Sequence, residues 1–298
     1  DIIDNIISDV EHVLEILGNL SLNSDSYIPS TCTPTEDLDL LISNHLNCLL
    51  SDLLTFTVYI ILEAERGFKV SSVHKWMKLL EKKSTYSIFY ASEEIKQSVE
   101  NMFTIITLLF FDMEHNTGSL VDNSTFMSNA DTMVEFTNII MNSNSSAIIL
   151  YAWSIVLHRQ FTALELAKGT TEGTEYEKKL SNTILSNIEL ISMKLAEEAA
   201  KGNFCEQLSQ CHTLISNDYI FSSILGTFVV SFVPYIEPTD QIIGVIAKVL
   251  RNSSNKVIEN FFSSPFTDEL LILLRAKLPF TLNSFLELIS INANLAME

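Results

Sequence analysis

The sequence predicts an all-α protein whose helices stack pair upon pair, and three observations carry that reading. The chain has only 8 Gly and 6 Pro in 298 residues, too few turn residues for an all-β or doubly wound fold, so long helices joined by short polar loops are favoured. Apolar residues recur at the i, i+3, i+4 spacing of a helix face along most of the chain. Hydrophobic residues at 47% against charged residues at 18% mark a folded chain rather than a disordered one.

Taken in order, Ile2, Ile3, Ile6, Ile7, Val10, Val13, Leu14 and Leu17 form one stripe, a first helix that Gly18 is expected to end. The polar run NLSLNSDSYIPSTCTPTED reads as a loop, flexible near 18–35. Thr35, followed by Glu36 and Asp37, makes a good start for a long helix or joined pair reaching Gly67, with acids where the dipole favours them. Helical patterns follow at 70–83, 92–114, 128–142, 146–168, 174–201, 204–216, 218–233, 238–251, 254–262, 265–277 and 281–296. The run KGTTEGTEYE, 168–177, is the most flexible-looking linker, but the helices on its two sides resemble one another. Residues 1–298 are therefore expected to form a single helical-repeat segment. Both ends fall in or beside amphipathic patterns, so the segment is expected to belong to a longer chain.

Two stretches invite a membrane reading. Tyr219–Ile236 approaches the roughly 20 residues of a bilayer span, yet it holds Ser222, Ser223, Thr227, Ser231 and Pro234 between Asp218 and Glu237. Those residues favour a buried helix. Ala147–Leu157 is short and apolar all round, the pattern of a helix covered on several sides. No transmembrane segment is expected. Such a mixture of amphipathic and buried helices fits a solenoid, in which each pair covers the apolar face of the next, with a closed bundle as the alternative.

Eighteen bases against 37 acids give a net charge of -19, which argues against a nucleic-acid partner and suits basic protein partners. Zincin, P-loop, dinucleotide and nucleophile-elbow motifs are absent from the sequence. No two of His12, His45, His74, His115, His158 and His212 lie within a turn or two of each other, and each reads as a helix surface or helix end. Cys205 and Cys211, six apart before His212, lack a zinc spacing, and all four cysteines read as reduced thiols. Glu93–Glu94 and Glu197–Glu198 are neighbours that point apart on a helix, so they read as solvated faces. Lys78, Lys82 and Lys83 read as compensation of a helix dipole beside Trp76. Met102–Phe111 reads as core. No catalytic, cofactor-binding or metal-binding residue is predicted, and no cofactor.

One stretch, LLILLRAKLPFTLNSFLELIS, sets Arg275 and Lys277 inside an apolar run. With Asp268 and Glu269 early in the preceding turns, the two bases fall at the helix end that a macrodipole favours. Pro279 then stops the helix. Thr281 or Ser284 is expected to cap the next one, with Glu287 completing a capping box. The bases thus read as a joint between helices.

SSAIILYAWSIVLHRQF, 145–161, and DELLILLRAKLPFTLNSFLELISINANL, 268–295, resemble segments of the large inner-ring scaffold nucleoporins of the nuclear pore complex, the one-eighty-eight and one-ninety-two class. The resemblance implies a non-catalytic superhelical solenoid of antiparallel HEAT- and armadillo-like helix pairs from the N-terminal half of such a chain. It implies residence at the nuclear envelope and a role in nucleocytoplasmic transport. The partners it implies are other nucleoporins, both inner-ring scaffold and linker types, with transport factors as further candidates. It brings no active site to carry over. Two rivals stand beside it: an importin-type transport receptor, and a helical enzyme, which a deep cavity lined by convergent acids or histidines would favour.

Overall fold

The computed structural model describes residues 2–22, 36–63, 70–86, 92–111, 130–143, 145–168, 175–215, 218–280 and 282–295. Among the described residues there are thirteen α-helices and no strand. They are α1 Ile2–Leu22, α2 Glu36–Leu62, α3 Val70–Thr85, α4 Glu93–Phe110, α5 Ala130–Asn142, α6 Ala147–Lys168, α7 Glu175–Lys201, α8 Phe204–Ile215, α9 Tyr219–Phe232, α10 Asp240–Arg251, α11 Asn255–Phe262, α12 Pro265–Ala276 and α13 Leu282–Leu295. The all-α expectation holds, and most helix boundaries fall within a few residues of those read from periodicity. The expected flexible stretches lie mainly outside the described residues; their edges at 18–22, 168 and 175–177 are helical.

The chain divides into two compact units, the first comprising Asp1–Phe110 with Asp131–Ser145, the second Phe111–Ala130 with Ser146–Glu298. In the first, α1 packs on α2 and α3, and α4 packs on α2 and α3. The predicted stripe of α1 is buried from Ile3 to Leu17, while Ile2 stands exposed. Gly18 does not end α1, which continues to Leu22. A glycine inside a helix costs only about 1 kcal/mol, less than the packing of this face supplies. Trp76 of α3 stacks on Phe103 at 5.1 Å and lies 5.8 Å from Phe110, both on α4.

The lysines of α3 do more than oppose a dipole. Lys82 pairs with Glu11 of α1, and Lys83 pairs with Glu100 of α4 while its ammonium lies 4.8 Å over the Phe103 ring. Asp4 accepts from Ser72 Oγ at 2.8 Å and lies 3.9 Å from Lys75. The exposed Lys82–Glu11 pair positions α3 more than it stabilises it, since exposed ion pairs contribute about 0–1 kcal/mol, whereas the Lys83 side chain is only 13% exposed.

Within α2, Leu41–Leu62 is long and apolar enough to cross a membrane, with mean hydropathy 1.5. Here Leu50, Leu54, Val58 and Ile61 are buried together with Ser43, Asn47 and Thr57, and that face meets α1 and α4.

In the second unit, α6 packs along α7 and also meets α8 and α9. Its Ala147–Ile149 and Ala152–Leu157 are buried, as a helix apolar all round requires. α9 starts on Asp218, whose carboxylate accepts from the Ile220 and Phe221 amides at 2.9 and 3.2 Å. It ends in a 3-10 turn, Val233–Tyr235, that holds Pro234. The serines that made its sequence look mixed have specific roles. Ser253 Oγ donates to Ser222 O, and the Ser254 amide donates to Ser223 Oγ, at 2.9 and 3.0 Å. Small side chains along this seam let α9 come close to the α10–α11 corner.

The α12–α13 joint differs in one detail from the expected caps. Pro265 opens α12, Arg275 lies in its last turn and Lys277 is its C-cap; Leu278–Pro279 is a cis peptide. α13 begins at Leu282, before Ser284. Ser284 is buried and donates to Asp240 Oδ1 at 2.7 Å, so it serves as a tie to α10 rather than an N-cap. Thr281 lies outside the described residues.

Candidate functional site

Among the described residues no group of three or more His, Cys, Asp and Glu could hold a metal ion. His74 contacts the Phe136 ring at 4.9 Å and lies 3.6 Å from Glu135. His158 meets Tyr235 edge-on at 5.1 Å. His212 lies in the last turn of α8, a helix end as expected. It is buried, 3.2 Å from Asn252 Nδ2, because α8 turns it towards the start of the α10–α11 corner. Burial and the nearby Lys248 charge lower its pKa. His115 and Cys32 lie outside the described residues. Cys48, Cys205 and Cys211 are free thiols; Cys211 is fully buried, which pushes its pKa up to about 12. Glu93 and Glu198 each pair with a lysine on the next turn, Lys96 and Lys201, so the acidic pairs are solvated helix faces.

The second unit contains a cavity of about 370 Å³ lined by residues of α6, α7, α8, the 3-10 turn and the start of α10. Its formation begins at the α7–α8 corner. Asn203 adopts φ 57, a left-handed conformation that Asn tolerates, and so breaks the chain between the two helices. Gln207 then clamps the corner: its amide donates to Gly202 O at 2.9 Å and its Oε1 accepts from the Ala147 amide at 2.8 Å. That bond satisfies one of the orphan N–H groups at the start of α6.

The clamp brings Phe204 of α8 against Tyr151 of α6, with ring centroids 4.6 Å apart. Phe228 and Phe232 of α9 back Phe204 at 6.1 and 5.6 Å. The Tyr151 hydroxyl donates to Tyr235 O at 3.2 Å, tying α6 to the turn after α9. Burial, with smaller contributions from Cys205 and Tyr235, pushes the Tyr151 pKa up to about 12. Burial raises the half-buried Cys205 thiol as well. Both are therefore neutral at physiological pH, the opposite of an activated nucleophile. The carboxylates in the lining, Glu206 and Glu237, are both exposed, and the lining includes no histidine among the described residues. The cavity thus has aromatic walls and an acidic rim.

Sequence reasoning missed this cavity. Its signals were Tyr151 inside an otherwise apolar helix, and a Tyr235–Glu237 pair between Pro234 and Pro238. Neither shows in sequence which distant partner it meets.

Comparison with known proteins gives the chain its relatives. Among curated proteins, Nucleoporin NUP188 of Saccharomyces cerevisiae (strain ATCC 204508 / S288c) is 21% identical over 215 residues, which is 68% of this chain and 12% of that relative's length. The chain thus matches a small part of a much longer protein. A family model described as "Nucleoporin Nup188, N-terminal" matches residues 1–298. Matched over its whole length, the chain belongs to the Nup188 nucleoporin family, in its N-terminal part.

Proposed function

We propose that the chain is a segment of a non-catalytic scaffold of the nuclear pore inner ring, acting through protein contacts in nucleocytoplasmic transport at the nuclear envelope. Family membership over residues 1–298 is the observation that carries this reading. The packing supports a solenoid: α1 meets α3, α2 meets α4, α6 meets α8, α8 meets α10, α9 meets α11 and α11 meets α13, so helices two apart in the chain touch repeatedly. That is the neighbour pattern of stacked helix pairs, in which each covers the apolar face of the next. The partners are other nucleoporins of the inner ring and its linkers, with transport factors as further candidates.

A fluorescent fusion of the chain expressed in cells, together with affinity capture from nuclear envelope extract and mass spectrometry, tests the proposal. Rim localisation with nucleoporins among the captured proteins is the expected result. A diffuse fusion that captures no nucleoporin overturns it. So does a thermal shift of several degrees on adding a nucleotide or a divalent metal, because a ligand that binds only the native state stabilises it.

A further inference from the structure

The cavity of the second unit has a chemistry that selects one kind of occupant. At about 370 Å³ it lies near the small end of the roughly 300–1,000 Å³ range of ligand sites, which suits one long side chain. Tyr151, Phe204 and Tyr235 supply aromatic walls from three separate elements. Their positions are set before anything binds. Phe228 and Phe232 back Phe204, the Tyr151 hydroxyl is tied to Tyr235 O, and His158 supports the Tyr235 ring.

The lining carries Glu206 and Glu237 and no lysine or arginine. Lys277 is engaged at Pro238 O, 2.9 Å away, and Lys201 is paired with Glu198. Glu206 accepts from Gln210 Nε2 at 3.3 Å, and among the described residues neither carboxylate has a cationic partner; aromatic faces beside such carboxylates attract an organic cation. A guanidinium fits better than an ammonium, because its plane stacks on rings while its fork meets a carboxylate. The exposed amides of Asn203 and Gln241 at the rim offer hydrogen bonds to a peptide backbone. The charge of -19 over the whole chain draws basic segments towards it.

We propose that this cavity binds the guanidinium of an arginine side chain presented by an extended, basic segment of a protein partner. The proposal deepens the scaffold reading and rests on it for the claim that the occupant is a protein segment.

Cys205 in the cavity wall provides the readout, with exposed Cys48 of the first unit as an internal reference. The 298-residue chain is alkylated with N-ethylmaleimide in mildly alkaline buffer, and each cysteine's rate is followed by peptide mass spectrometry. The probes are the capped tripeptide Gly-Arg-Gly and its lysine and citrulline counterparts. The arginine peptide slows Cys205 by the factor 1 + [L]/Kd, about threefold at twice Kd, and leaves Cys48 unchanged. The lysine peptide protects less and the citrulline peptide does not protect. In the double variant E206Q/E237Q, which alters only exposed side chains and whose fold is checked by circular dichroism, protection is lost. Equal protection by citrulline, no protection by arginine, or protection that survives in the double variant each overturns the proposal. Nucleoporins still captured by the wild-type chain in those cases leave the scaffold reading standing; their loss removes that reading separately.

Discussion

Trp76 Nε1 donates to Thr107 Oγ1 across 3.0 Å, joining α3 to α4 through two side chains with no solvent exposure. The Thr107 hydroxyl in turn donates to Phe103 O at 2.7 Å, so one hydroxyl satisfies an indole and a helix carbonyl together. Thr107→Val keeps the shape and strands the buried indole N–H, at a cost of about 1–3 kcal/mol. Urea unfolding followed by tryptophan fluorescence should show that loss, and Thr107→Ser should recover most of it. Equal stability of Thr107→Val and wild type would mean that the bond contributes nothing net.

Two glycines inside helices predict changes of opposite sign. A Cβ on Gly226 of α9 would stand 2.3 Å from Ser253 Oγ and 2.8 Å from Val257 Cγ1, whereas one on Gly244 of α10 would find Ser284 Oγ no closer than 3.7 Å. Gly226→Ala forces α9 away from the α10–α11 corner and should cost about 1–3 kcal/mol, the usual range for overpacking. Gly244→Ala meets only ordinary contact and should stabilise by about 0.5–1 kcal/mol, the entropic gain of removing a helical glycine. Thermal melts of the two variants beside wild type check both signs.

His212 makes the second unit sensitive to acid. Burial and Lys248 hold its folded-state pKa below the ordinary value, so the unfolded chain binds the proton more readily. Stability from this group is therefore fully present above about pH 6.5 and is lost as pH falls through the lowered folded-state pKa. Denaturation midpoints measured at neutral and mildly acidic pH should fall more for wild type than for His212→Gln. Parallel pH profiles for the two proteins would remove His212 from the account.

Lys277 and Arg275 should separate on substitution. The Lys277 ammonium donates to Pro238 O at 2.9 Å, anchoring the α12 end to the loop before α10. Arg275 is exposed in the last turn of α12. Lys277→Met should cost about 0.5–1.5 kcal/mol, the worth of one hydrogen bond. Arg275→Ala should stay within about 0.5 kcal/mol of wild type, as surface changes do. Chemical denaturation of both variants tests the difference.

The helices are legible in short stretches of sequence. Their start and stop points follow from the periodic burial of apolar side chains and from local residues such as Asp218, Pro265 and Thr239, whose hydroxyl accepts from the Ile242 amide at 3.4 Å. Such interactions span at most a few residues, so one strand of text contains both partners. The net charge and the buried character of α6 and α9 were legible for the same reason. Packing between distant segments sets what long-range partners impose. Gly18 passes inside α1, Ser284 turns to Asp240, and His212 is buried against Asn252. The aromatic cavity belongs with these. Tyr151, Phe204 and Tyr235 come from three elements, and the Gln207 clamp that joins two of those elements spans sixty residues. Each side chain alone looks like ordinary core, and only packing sets the distances that give the cavity its chemistry.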